Sequence, residues 1–123
     1  TMPRRSQSTD IRMKRAYEPA DAADGTRVLI DRLWPRGVRK EDAAIDLWLK
    51  DIAPSTELRQ WFGHDPARFA EFRARYTAEV HANGEALAKL RALAAEGPVT
   101  LVYSARDSAH NDAVVLLEIL GGE

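Results

Sequence analysis

Two short β-rich runs, RVLIDRLW at residues 27–34 and VTLVYSA at residues 99–105, are separated by a long stretch whose apolar residues recur at helical spacing. A chain that leaves one strand, passes through several helices and returns to another makes a crossover, and such crossovers join parallel neighbours in the right-handed sense. Each run carries consecutive apolar residues, Val28-Leu29-Ile30 in one and Leu101-Val102-Tyr103 in the other, as strands covered on both faces do. The pattern predicts an α/β fold: a small layered domain with a short, mostly parallel sheet flanked by helices.

A third strand is expected at residues 11–17, where Ile11, Met13, Arg15 and Tyr17 alternate with Arg12, Lys14 and Ala16. The eight-residue loop PADAADGT after it is shorter than the dozen or so residues of an ordinary parallel crossover, which leaves its direction relative to the second strand open. Between the β-rich runs, Ile45, Trp48, Leu49 and Ile52 fit a helical stripe over residues 41–52. Ser55 is suited to cap a short helix carrying Leu58, Trp61 and Phe62, with Gly63 as its stop. Asp65-Pro66 opens another, marked by Phe69, Phe72, Tyr76 and Val80, and Leu87, Leu90 and Leu93 mark the next. Asp107 or Ser108 is placed to cap a last helix bearing Ala113, Val114, Leu117 and Leu120. Residues 1–10 are polar and without period and read as a disordered leader, leaving residues 11–123 as the single domain.

Composition narrows the chemistry. With 45% apolar and 30% charged residues the chain is not a disordered one, and the absence of cysteine removes disulfides, thiol nucleophiles and thiolate metal sites. No apolar run is long enough to span a bilayer, so no membrane partner and a cytoplasmic location are expected. His64, His81 and His110 have no ligand spacing, and neither a GxGxxG nor a P-loop is present, so neither metal nor cofactor is expected. The formal net charge of -1 is a sum of unlike parts: residues 1–40 hold ten Lys/Arg against five Asp/Glu, and the remainder eight against fourteen. Segregation of this kind marks either an anion site or GC-rich coding bias.

In open α/β sheets, ligands collect beyond the C-terminal ends of strands and at the N-termini of the helices that follow. That rule selects two segments. The first is Asp31 to Gly37, where Arg32 and Arg36 offer planar cationic forks and Trp34 a flat wall, although Arg32 is equally suited to pair with Asp31 and Trp34 to lie in the core. The second is Tyr103 to Asn111, where His110 and Asn111 are expected in the first turn of the last helix and Tyr103 and Ser104 at the strand end. Lys50 is a third candidate, and on a helix its ordinary role is a solvated charge.

KRAY at residues 14–17, DGTRVLIDRLWPRG at 24–37, WLKDIAPSTELRQWFGHDP at 48–66 and LVYSARDSAHNDAVVL at 101–116 together resemble the YeaO-like branch of the bacterial domain of unknown function 488 family. The resemblance covers residues 11–120 and implies no settled activity. It implies that Lys14, Arg15, Arg32, Trp34, Arg36, Lys50, Ser55, Arg59, Tyr103, His110 and Asn111 are family-motif positions. Other branches place a Cys-His-Arg element at the last helix, where this chain reads Ala109-His110-Asn111, so only the histidine matches.

From these readings the expected function is an enzyme or binding domain for a phosphorylated or otherwise anionic small molecule, nucleotide-like ligands included. Arg15, Arg32, Trp34, Arg36, Lys50, Ser55 and Arg59 would bind it, with His110, Asn111 and Tyr103 as the catalytic candidates. The alternative is a nucleic-acid or protein interaction module that uses Arg4, Arg5, Arg12, Lys14 and Arg15. The oligomeric state is left open.

Overall fold

A computed structural model describes residues 11–121, and the segment expected as a leader lies outside them. The order of elements is β1 (Ile11–Arg15), a 3-10 turn (Ala22–Asp24), β2 (Thr26–Leu29), α1 (Lys40–Ala43), β3 (Leu47–Trp48), a 3-10 turn (Lys50–Ile52), α2 (Thr56–Phe62), a 3-10 turn (Pro66–Arg68), α3 (Phe69–Ala82), α4 (Gly84–Glu96), β4 (Val99–Tyr103) and α5 (Asp112–Gly121). The strands form one sheet in the order β1-β4-β2-β3, and every pairing is parallel. This is the expected α/β class, and it resolves the direction of the first strand: β1 and β2 run the same way on either side of β4.

The short β1–β2 connection works because it folds back along one face of the sheet instead of building a helix. Gly25 makes the return into β2 at φ 66°, a backbone state that glycine enters at little cost. A Cβ at that position would lie 2.2 Å from the Pro98 carbonyl oxygen, which accepts the Thr26 N–H at 3.0 Å.

Alternation divides the strands between two unlike layers. Val28, Ile30, Val99, Leu101 and Tyr103 face the main core, where they pack with Leu58 and Phe62 of α2, Phe72 and Tyr76 of α3, Leu90 of α4 and Leu116 of α5. Completely burying a side chain such as Phe72 contributes about 1.5–3 kcal/mol, so this helical layer supplies most of the apolar stabilisation. The opposite face carries Ala16, Leu29 and Val102 beneath Trp34, Ile45 and Trp48. That thinner layer also holds a buried polar group: Asp24 accepts from Lys14 Nζ at 3.0 Å and Arg27 Nη1 at 2.6 Å, and Thr100 Oγ1 donates to the Asp24 carbonyl at 2.8 Å.

Several boundaries differ from expectation. Residues 41–52 do not form one helix: Ala44 turns left-handed at φ 48°, and Leu47 and Trp48 pair with Val28 and Leu29 as an edge strand. The helical spacing of Ile45, Trp48, Leu49 and Ile52 instead serves a turn, a strand and a 3-10 turn that all lie against the sheet. The strands end sooner than predicted, β1 at Arg15, β2 at Leu29 and β4 at Tyr103. The last helix starts at Asp112, and its cap is Asn111, whose Oδ1 accepts the Val114 N–H at 3.0 Å. His110 and Asn111 therefore precede that helix, while Asp107 closes its own turn by accepting from Ala109 and His110 N–H. The Ser55 cap and Gly63 stop of α2 are as predicted, with Ser55 Oγ accepting the Leu58 N–H and Gly63 left-handed.

Candidate functional site

β2 and β4 end side by side, and the chain leaving each one rises around a cleft of about 310 Å³. That volume falls at the lower end of the range for small-molecule sites. Its floor is tied together by Asp31 and Ser104. Asp31 Oδ2 accepts both the Ser104 N–H at 2.9 Å and the Ser104 hydroxyl at 2.8 Å. Asp112, first residue of α5, lines the cleft beside Asp31, close enough for the two carboxyls to interact. Burial, followed by the negative charge of Asp31, pushes the Asp112 carboxyl well above the usual range. Asp112 therefore holds a proton more readily than an ordinary carboxyl does, with the Asp31 carboxyl beside it. Asn111 and Phe72 are the buried neighbours of this pair on the cleft wall.

The rim is cationic and apolar. Arg36 and Arg59 are exposed there together with His64, Tyr17 at 47% exposure and Leu33 at 63%. Neither the Arg36 nor the Arg59 guanidinium has a hydrogen-bond or ion-pair partner among the described residues. Arg32 lies between rim and floor. Its Nη2 makes a long contact of 3.5 Å to the Pro54 carbonyl, and its Nε is buried with no acceptor. The pairing of Arg32 with Asp31 that the sequence allowed does not form, because that carboxylate is directed to Ser104. Trp34 and Pro35 complete the wall, and Trp34 Nε1 donates to the Val38 carbonyl at 2.7 Å.

Of the residues singled out in the sequence, Arg32, Trp34, Arg36, Arg59, Ser104 and Asn111 meet at this cleft. The others have different surroundings. Arg15 Nε donates to the Ala105 carbonyl at 2.8 Å, and its guanidinium lies over the Tyr17 ring, so it buttresses the wall from behind. Lys50 Nζ stands 4.2 Å from the centre of the Trp48 ring. Ser55 caps α2 and donates its hydroxyl to Glu79 Oε2 at 2.7 Å. Tyr103 is buried in the main core, and burial raises its phenol above 10.0. His110 Nδ1 lies 2.9 Å from Asp107 Oδ2, and its ring meets the Phe69 ring edge-on. Backbone donation from Ala109, then the His110 side chain, holds the Asp107 carboxyl below 3.8.

Asp112 and His64 line the cleft without having been singled out as site residues, and Asp31 enters the sequence reading only as a partner for Arg32. Asp31 stands where a strand ends and Asp112 where a helix begins, the two places where α/β sheets collect ligands. Their separation by eighty residues hid the pair. Among the described residues no cluster of three or more His, Asp or Glu is gathered as for a metal ion, and no helix is long and apolar enough to cross a membrane.

Residues 10–123 match the family model DUF488-N3i, described as the inactive DUF488-N3 subclade. The chain is 47% identical over 116 residues to an uncharacterized protein of Mycobacterium tuberculosis, covering 94% of this chain and 98% of that one. It is 45% identical over 111 residues to the uncharacterized protein YeaO of Escherichia coli, covering 90% and 96% respectively. No solved structure matches it.

Proposed function

The chain belongs to the DUF488 family, in the subclade described as inactive, and from that premise we propose that its cleft recognises a phosphorylated or otherwise anionic small molecule without turning it over. The observation that carries this reading is the Arg32 guanidinium, which has a buried Nε without an acceptor and only a long contact at Nη2. A buried unpaired donor costs about 1–3 kcal/mol, a cost that an anion entering the cleft would remove. Arg36 and Arg59 add two guanidiniums without partners among the described residues, and planar forks of this kind suit phosphate and carboxylate.

Binding without catalysis accords with the surroundings of His110. Its ring is turned to Asp107 and Phe69 and does not line the cleft. The reading as a nucleic-acid module draws less support, since Lys14 is bound to Asp24 and Arg15 to backbone carbonyls.

Thermal-shift measurements with inorganic phosphate, nucleoside monophosphates and sugar phosphates test the proposal on wild type and Arg36→Ala. A ligand at 100 times its dissociation constant adds about 2.7 kcal/mol to stability, so the expected result is a clear rise in Tm with at least one of them, reduced in the variant. No rise with any of them, or equal rises in both proteins, would overturn it.

A further inference from the structure

The cleft contains both signs of charge and keeps them apart. Arg32, Arg36 and Arg59 make no ion pair with Asp31 or Asp112, although all five line the same cavity. Opposite charges that share a small cleft without meeting suit a ligand that carries both signs and bridges them. The acidic end is built into the fold. Asp31 is fixed by two bonds from Ser104 at the end of β4, and Asp112 is the first residue of α5, behind the Asn111 cap. The cationic end is exposed at the rim, so an anion enters last and an opposite group leads.

We propose that the cleft selects a phosphate ester that also carries a primary amine, with the ammonium against the Asp31–Asp112 pair and the phosphate at Arg36 and Arg59. The inference rests on the anion-binding reading of the same cleft and adds the class of ligand. An ammonium supplies three donors and a positive charge to two neighbouring carboxyls on the cleft lining. A hydroxyl at the same place supplies one donor and no charge. Trp34, Phe62 and Phe72 line the apolar wall between the two ends, where the carbon frame of the ligand would lie.

Calorimetric titration with glucosamine 6-phosphate and glucose 6-phosphate, which differ in one amino group, tests the selectivity on the full chain. Wild type is expected to bind the amino compound about tenfold more tightly or better, as a charge-assisted hydrogen bond implies. The double variant Asp31→Asn/Asp112→Asn keeps the shape and removes both acids, and should bring the two affinities to within about threefold of each other. Arg36→Ala should weaken both compounds by the same factor. Equal affinities in wild type, or a preference that survives the double variant, would overturn amine selection and leave the anion reading standing. Binding of neither compound at millimolar concentration would overturn the anion reading and this inference together.

Discussion

Ser104 donates to one oxygen of Asp31 twice, through its backbone N–H at 2.9 Å and its hydroxyl at 2.8 Å. The bond pair ties the chain leaving β4 to the chain leaving β2 and fixes the Asp31 carboxylate in the cleft floor. Ser104→Ala removes one of the two bonds while the backbone bond keeps the carboxylate in place. A loss of about 1 kcal/mol is expected, less than the roughly 1.5–3 kcal/mol of a fully lost bond to a charged group. Urea unfolding of the two proteins, with unchanged m, measures it.

Asp24 predicts the acid side of the stability profile. Burial alone would push its carboxyl up, but Lys14, the Asp21 N–H and Arg27 outweigh burial and hold it below 3.8. A folded value below the unfolded one means that the ionised group stabilises the fold above 3.8 and that this stability is lost as pH falls through the folded value. Thermal melts below about pH 4 should show the loss in wild type and much less of it in Asp24→Asn.

The same substitution has a cost at neutral pH. Arg27 is 3% exposed, with its Nη2 unpaired, and Asp24 is its ion-pair partner. Removing one member of a buried pair costs about 3–5 kcal/mol. Asp24→Asn should lower the unfolding free energy at pH 7 by that order, as read by chemical denaturation.

Asp112 titrates in the opposite direction. Its folded value lies above the unfolded 3.8, so the folded protein keeps a proton that the unfolded chain releases. Stability from this residue is therefore greatest at or below 3.8 and declines as pH rises toward the folded value. Asp112→Asn abolishes that decline. The Tm of the variant relative to wild type should grow as pH rises above about 4, and a constant difference would contradict the raised Asp112 carboxyl.

Gly25→Ala tests the return into β2. With φ 66° and the Pro98 oxygen 2.2 Å from the added Cβ, the substitution meets both backbone strain and a backbone clash. Strain of this kind costs about 1–3 kcal/mol before the clash is counted. The expected result is a large fall in Tm, whereas Gly37→Ala, with open space around it, should fall less.

Local chemistry was readable where local chemistry decides. Ser55, Gly63 and the Asp65-Pro66 pair mark helix ends through their own bonds and backbone angles, and the structure places ends there. The buried run at residues 99–105 identified the central strand, and the rule for strand ends identified the region of the cleft. Residues 41–52 were misread because two residues of edge strand take their register from Val28 and Leu29, which no spacing within the segment records. The acid pair was hidden for a related reason. The sequence offers Asp31 its neighbour Arg32 as one partner, whereas Ser104, which bonds it, and Asp112, which lies beside it, come from the far end of the chain.

The place of β4 between β1 and β2 has a consequence for the birth of the protein. Among the described residues Ile11–Arg15 has no ladder partner other than Val99–Tyr103, so a ribosome must add roughly 85 residues after Arg15 before that pairing can begin. At ~5–20 residues per second this takes about 4–17 s. During that time the first strand emerges with its edges open, and the sheet closes only when translation has nearly passed the whole of the described chain.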